Sequence, residues 1–179
     1  FDSGLGEALF SNVDDAQVDY SEGLSSFDSD GFSIGSYTGL NSNTYGIVAW
    51  NWKAGGAPTA TNSAGAGATP TAGSVKIDGS NLGSALAGSI AATKLSANTT
   101  TGFSIVGYTG NGGDDQTIGH GLSQAPDMVI IKNASSASAW NVYSSAIFST
   151  TANDKRLVLN TTAAAAVDAH TTAVTPTVF

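Results

Sequence analysis

Two stretches of this chain are near copies of each other, and both carry the two-residue rhythm of a β-strand. Asp30-Gly-Phe-Ser-Ile-Gly-Ser-Tyr-Thr-Gly-Leu-Asn41 returns as Thr101-Gly-Phe-Ser-Ile-Val-Gly-Tyr-Thr-Gly-Asn-Gly112. In the first, Phe32 and Ile34 share one face with Ser36, and Tyr37 lies on the other, the alternation of a half-buried strand. In the second, Phe103 and Ile105 oppose Val106 and Tyr108, which predicts a strand buried on both faces. The second copy runs on through Thr117-Ile-Gly-His-Gly-Leu122 to Ala125-Pro-Asp-Met-Val-Ile-Ile-Lys-Asn133. Ala125 before Pro126 is pushed out of the α region. The unbroken apolar run Met128-Val-Ile-Ile131 predicts an interior strand.

Further segments have the same character. Tyr45-Gly-Ile-Val-Ala-Trp-Asn-Trp52 puts Val48, Trp50 and Trp52 on one face and Tyr45, Ile47 and Ala49 on the other, so a central strand is expected there. Ser138-Ala-Trp-Asn-Val-Tyr143 alternates with Trp140 and Val142 inward, and strands are also read at Arg156-Leu-Val-Leu-Asn160 and Thr175-Pro-Thr-Val-Phe179. The 22 glycines and the 11% of charged residues leave many turns and few helix-forming runs. Short strands with frequent turns predict an all-β fold: an antiparallel β-sandwich of lectin-like or jelly-roll-like form, with a long extended arm rich in Gly, Ala, Ser and Thr.

That arm is expected where composition breaks. Residues 54–74 contain only Ala, Gly, Pro, Thr, Asn and Ser, too little apolar surface to offset the entropy of ordering them. Residues 75–98 regain Val75 and Ile77, suited to a short strand. Leu82, Leu86 and Ile90 at i, i+4 and i+8 form a stripe for a small helix capped near Ser80 or Asn81. Gly83 and Gly88 each weigh against that helix by about 1 kcal/mol; the alternative is an extended arm with occasional anchors.

The ends resemble each other too. Residues 148–179 and 1–32 both begin at Phe, pass Leu157-Val-Leu-Asn160 or Leu9-Phe-Ser-Asn12, and close at Phe179 or Phe32. This predicts that 1–52 is the latter part of a repeat unit, 53–100 a low-complexity linker or arm, and 101–179 the earlier part of the next unit. Both ends of the chain are then expected to be cuts in a longer polypeptide. The two β segments either close one sandwich in permuted order, the arrangement that avoids an open sheet edge, or pair with neighbouring copies.

The net charge of −8 arises from eight acids within the first 30 residues, ahead of the first base, Lys53. One arginine, Arg156, and no basic run argue against nucleic acid as a partner. No apolar run approaches the ~18 residues of a membrane span, and no membrane partner is expected. The absence of cysteine excludes a disulfide framework and thiolate-bound metal.

Gly102-Phe-Ser-Ile-Val-Gly-Tyr-Thr-Gly-Asn-Gly112, Ile118-Gly-His-Gly-Leu122, Ala125-Pro-Asp-Met-Val-Ile-Ile-Lys-Asn133 and Trp140-Asn-Val-Tyr143 resemble a repeat of marine bacteriophage (cyanophage-like) virion structural, tail-fibre-like proteins. Ser26-Phe-Asp-Ser-Asp-Gly-Phe-Ser33 and Ala49-Trp-Asn-Trp-Lys-Ala-Gly-Gly56 fit the same pattern, and Ala134 departs from it where a basic residue would stand. The resemblance implies a lectin-like β-sandwich at the virion surface, outside the cell, and supplies no catalytic residues.

His120 between Gly119 and Gly121 is the tempting catalyst, but no Gly-x-Ser-x-Gly elbow and no Cys accompany it. These three residues read instead as a structural turn whose imidazole bonds the backbone. His170 lies in a Thr/Ala run and gives no two-His metal site. Asp28 and Asp30 begin like a calcium loop without its remaining ligands; no cofactor is expected, and Ca2+ on this pair is the alternative. Tyr37 and Tyr108, each followed by Thr-Gly, are expected as an exposed pair that with Asn111 would contact a ligand. Trp50, Trp52 and Trp140 read as core.

The expected function is that of a non-enzymatic virion structural subunit of a fibre or appendage. Its partners would be other copies of itself, as a trimer or filament array, other virion proteins and host surface glycans. The alternative is a carbohydrate-binding, lectin-like module.

Overall fold

A computed structural model of the chain describes residues 5–145, 155–167 and 177–179. Those residues are all-β, with no helix. Twelve strands follow in order: β1 Glu7–Ala8, β2 Val18–Asp19, β3 Leu24–Phe27, β4 Phe32–Ile34, β5 Val75–Ile77, β6 Ser80–Asn81, β7 Ala92–Asn98, β8 Phe103–Tyr108, β9 Met128–Ile131, β10 Asn141–Ser144, β11 Lys155–Val158 and β12 Ala166–Val167. β1–β2 and β3–β4 are antiparallel hairpins, and the two larger sheets have the orders β6-β5-β7-β8 and β12-β11-β10-β9. β5–β6, β7–β8, β10–β11 and β11–β12 also pair antiparallel, whereas β5 and β7 run parallel from Val75↔Leu95 to Ile77↔Ala97.

The chain divides into two compact units, one of residues 1–51, 130–142 and 157–165, the other of 52–129, 143–156 and 166–179. They differ in how much apolar surface they bury. Among the described residues, seven of the eight buried hydrophobic ones (Val75, Leu86, Ile90, Ala92, Leu95, Ala97 and Ile118) belong to the second unit and Val142 to the first. In the second unit, Val75, Leu86, Ala92, Leu95 and Ala97 form one cluster, with Ile77, Leu82, Val106 and Leu122 packed around it.

That core lies where composition indicated a linker. Residues 53–100 contain β5, β6 and all of β7, the most buried strand of the chain. The physical reason is that small residues permit close approach. Ala92 and Ala97 are fully buried beside Leu95, and a Cβ on Gly55 would overlap the Ala97 carbonyl. Contact density here comes from backbones brought together rather than from large side chains.

The arm of residues 54–74 carries no strand, yet it is held by its own chain. Asn62 is the clamp: its amide nitrogen donates to the carbonyls of Ala92 (2.9 Å) and Ala64 (3.3 Å). Its Oδ1 accepts from the N–H groups of Ala64 and Thr71, both at 3.0 Å. Its backbone N–H donates to Thr93 O at 2.8 Å. Thr59 N–H donates to Gly73 O, and the buried Ser96 hydroxyl donates to Gly56 O at 2.7 Å.

No helix forms over Leu82, Leu86 and Ile90. Ser89 and Ile90 donate backbone hydrogen bonds to Thr117 O, and Gly88 (φ +106°) sits so close to residues 117–119 that a Cβ would collide with them. The stripe is an extended arm anchored at Leu86 and Ile90, the other reading of the same residues.

Further strand expectations need correction. Residues 45–52 form no strand, and Tyr45, Val48, Trp50 and Trp52 are 76, 77, 77 and 65% exposed. A period of two shows which residues would share a face once paired, but it supplies no partner strand. β9 forms at the apolar run but ends its sheet, with Met128 and Ile130 exposed. β8 likewise ends its sheet, half-buried with Ile105 exposed rather than covered on both faces. Of the end-to-end comparison, 148–154 and 168–176 lie outside the described residues.

The near copies do build equivalent hairpins. Phe27↔Phe32 and Asn98↔Phe103 each close a four-residue loop ending in Gly just before the Phe. Gly102 takes φ +68°, which L side chains rarely adopt. The Asp28 carboxylate accepts from the Ser26 and Ser33 hydroxyls across the first loop, while Asn98 Oδ1 accepts from Thr100 and Thr101 N–H in the second.

Candidate functional site

The second unit carries a recess at one end of the β6-β5-β7-β8 sheet. Three backbone turns make its wall. The first is the β5–β6 turn, Asp78-Gly79, with φ +50° and +86°. Positive φ at both central residues is the two-residue hairpin turn whose twist matches the strands, and Asp-Gly is suited to it. The second is the loop of residues 98–101 between β7 and β8, and the third is the extended run of residues 53–56. Lys53, Ala54, Gly55, Gly56, Asp78, Gly79, Asn98, Thr100 and Thr101 line a volume of about 720 Å³, within the roughly 300–1,000 Å³ of small-ligand sites.

Hydrogen bonds fix these turns to one another. Gly79 N–H donates to Gly55 O (2.7 Å) and Asp78 N–H to Ala97 O (2.9 Å). The Asp78 carboxylate accepts from the Thr99 hydroxyl (2.6 Å) and the Thr99 N–H (2.8 Å), and these bonds hold its pKa below the ordinary Asp value. Thr101 Oγ1 donates to Lys53 O at 3.1 Å. Trp52, next to Lys53, stacks on Phe103 with centroids 5.9 Å apart and planes 14° from parallel. The indole is 65% exposed, so stacking leaves it broadly open to solvent. Sequence reasoning placed Trp52 in a core and passed over Lys53, Asp78, Asn98 and Thr100. The signals available were Asp78-Gly79, a tight-turn dipeptide, and the Trp52-Lys53-Ala54-Gly55-Gly56 run.

The candidate residues read from sequence are placed elsewhere. His120 is 2% exposed, and its Nδ1 accepts from Leu122 N–H at 3.1 Å. Its carbonyl accepts from the Ser104 hydroxyl. Gly121 (φ +72°) packs so tightly that a Cβ would lie 2.9 Å from Leu95 Cδ2, and a Cβ on Gly119 would meet Ala87 O at 2.5 Å. His170 lies outside the described residues.

Tyr37 and Tyr108 fall in different units, and neither stands free. Tyr37 is half-buried edge-on to Tyr20 at 4.8 Å, and the neighbouring phenol raises its pKa. Tyr108 is half-buried against Phe179 at 6.4 Å, and burial raises its pKa. Asn111 holds its own turn, donating to Gln116 Oε1 and accepting from Gly113 N–H, both at 2.9 Å. Asp28 is committed to two serines, and among the described residues no three His, Cys, Asp or Glu side chains gather as a metal site.

The first unit offers an apolar surface. Phe27, Phe32, Ile34, Leu40, Tyr45, Ile47, Val48 and Trp50 are all exposed within 24 residues of chain. Trp140 is tied down in this unit, donating from Nε1 to Phe10 O and Val13 O at 3.0 Å each.

The sequence matches the family model described as Domain of unknown function (DUF7483) over residues 3–78 and again over 76–179. The chain belongs to that family. The two DUF7483 matches meet at β5 and together take in both units. No curated protein and no solved structure matches the chain.

Proposed function

We propose that this DUF7483 chain is a non-enzymatic structural module that works by self-assembly. The observation that carries this reading is the imbalance between the two units. Among the described residues, the first buries one hydrophobic residue while exposing eight large ones over residues 27–50. So many exposed large apolar residues in one short stretch are what an interaction site presents. Residues 45–50 alternate like a strand but lack a partner strand, and an added strand from another copy would satisfy both backbone and side chains. Two successive family matches in one chain support like units packing on like units. Completed in this way, the first unit would take the antiparallel, lectin-like sandwich form expected from its strand pattern.

The setting that fits such a module is a fibre or appendage on a virion surface, built as a trimer or filament array with other virion proteins beside it. The acidic N-terminal region and the scarcity of basic residues suit an exposed protein that does not bind nucleic acid. Sedimentation velocity over a range of concentrations tests the reading. The native chain is expected to associate, and Val48→Ser/Trp50→Ser to shift toward monomer. A native chain that stays monomeric throughout refutes it.

A further inference from the structure

From the recess and the stacked indole of Trp52, the residue that precedes Lys53 of its wall, we infer that the second unit binds a neutral pyranose sugar. This goes beyond assembly, because the recess belongs to the well-packed unit and shares no residue with the apolar stretch 27–50. Sugar recognition needs a flat apolar face for the ring's C–H side and nearby groups that both donate and accept hydrogen bonds. Trp52 provides the face. Its stacking on Phe103 fixes the indole plane before any ligand arrives, and its 65% exposure leaves area to cover. A pre-oriented aromatic loses little rotamer freedom on binding.

The polar groups are distant in sequence and are brought together by the fold. Lys53 follows Trp52 directly, and Thr101 ties its carbonyl to the β7–β8 loop. Within the recess the Lys53 ammonium, the Asn98 amide nitrogen and the Thr100 hydroxyl make no hydrogen bond to other described residues. The Asp78 carboxylate, held in place by Thr99, has lone pairs left to accept from a sugar hydroxyl. Lys53 and Asp78 balance in charge, which favours a neutral ligand, and the chain's net charge of −8 disfavours an anionic one. Gly55, Gly56 and Gly79 keep the wall bare of side chains, so a ring can reach the backbone.

The test is saturation-transfer NMR and calorimetry on the whole chain with the methyl glycosides of glucose, galactose, mannose and N-acetylglucosamine. At least one is expected to bind with a Kd on the order of 1 mM, as for a shallow single-sugar site. Trp52→Ala is expected to weaken binding at least tenfold, and Thr100→Val about threefold. Trp52→Phe should retain part of the affinity and serves as the folding control, with unchanged thermal melting. Phe27→Ser, in the other unit, should leave binding unaltered. Absence of binding by all four sugars, or binding indifferent to Trp52→Ala, overturns the inference. Neither result bears on self-association, which is read separately by sedimentation.

Discussion

Asn62 is the residue through which the arm of residues 54–74 is expected to be most vulnerable. Asn62→Ala removes four side-chain hydrogen bonds, two donated to Ala92 O and Ala64 O and two accepted from Ala64 and Thr71 N–H. At about 0.5–1.5 kcal/mol each, their full value would be about 2–6 kcal/mol. The site is only partly buried, so water replaces some of them, and the 3.3 Å bond to Ala64 O is weak. An expected loss of about 2–3 kcal/mol remains, which lowers the melting temperature by about 5–10 °C for a chain of this size. Hydrogen exchange gives a finer reading. The amides of Ala64 and Thr71 should lose protection, because their acceptor is gone. The Leu95 amide, bonded to Ser74 O at 3.0 Å, should keep its rank among the most protected. Unchanged exchange at Ala64 and Thr71 would show that the arm is not organised by this clamp.

Other consequences concern the same unit. Gly55→Ala places a Cβ on the Ala97 carbonyl and is expected to destabilise by roughly 3 kcal/mol or more; a denaturation midpoint equal to the native one would contradict the close approach described for this strand. Asp78 has a folded-state pKa below its unfolded value, so its stabilising contribution is present above the unfolded pKa and is lost as pH falls through the lower, folded one. The acid limb of the stability curve should therefore flatten in Asp78→Asn, and a carboxyl titration of Asp78 by NMR at or above the ordinary Asp midpoint would refute this. Leu95→Ala, at the centre of the cluster, should cost about 2–5 kcal/mol by equilibrium unfolding; a loss under 1 kcal/mol would mean that the core lies elsewhere.

How much of this was legible in the sequence depended on the kind of residue that does the packing. β8, β9, β10 and β11 coincide with segments whose large apolar residues alternate or run together, and the all-β class follows from them. β7 was not legible, because Ala92-Thr-Lys-Leu-Ser-Ala-Asn98 offers one large apolar side chain. Its burial depends on Ala, Gly and Ser letting backbones close together, which hydropathy does not register. Residues 45–52 show the converse: their pattern is strong, yet a strand needs a partner as well as a pattern. The recess was hidden for a third reason. Lys53, Asp78 and Asn98 lie far apart in sequence and meet through the parallel pairing of β5 with β7 and the hairpin β7–β8. The Asp-Gly turn and the run of residues 52–56 were its local signals.

Another copy of the chain is expected to cover the apolar stretch of the first unit. If Tyr45, Val48 and Trp50 are buried there, each contributes about 1.5–3 kcal/mol before the cost of association. Together they offer about 4.5–9 kcal/mol before that cost, so self-association is followed from micromolar to millimolar protein. The most direct measurement is acrylamide quenching of Trp50 fluorescence in a Trp52→Phe/Trp140→Phe protein, followed as the protein is concentrated through that range. The indole is expected to pass from freely quenched to protected, with a blue shift in emission. Quenching that stays high and independent of concentration would contradict the account.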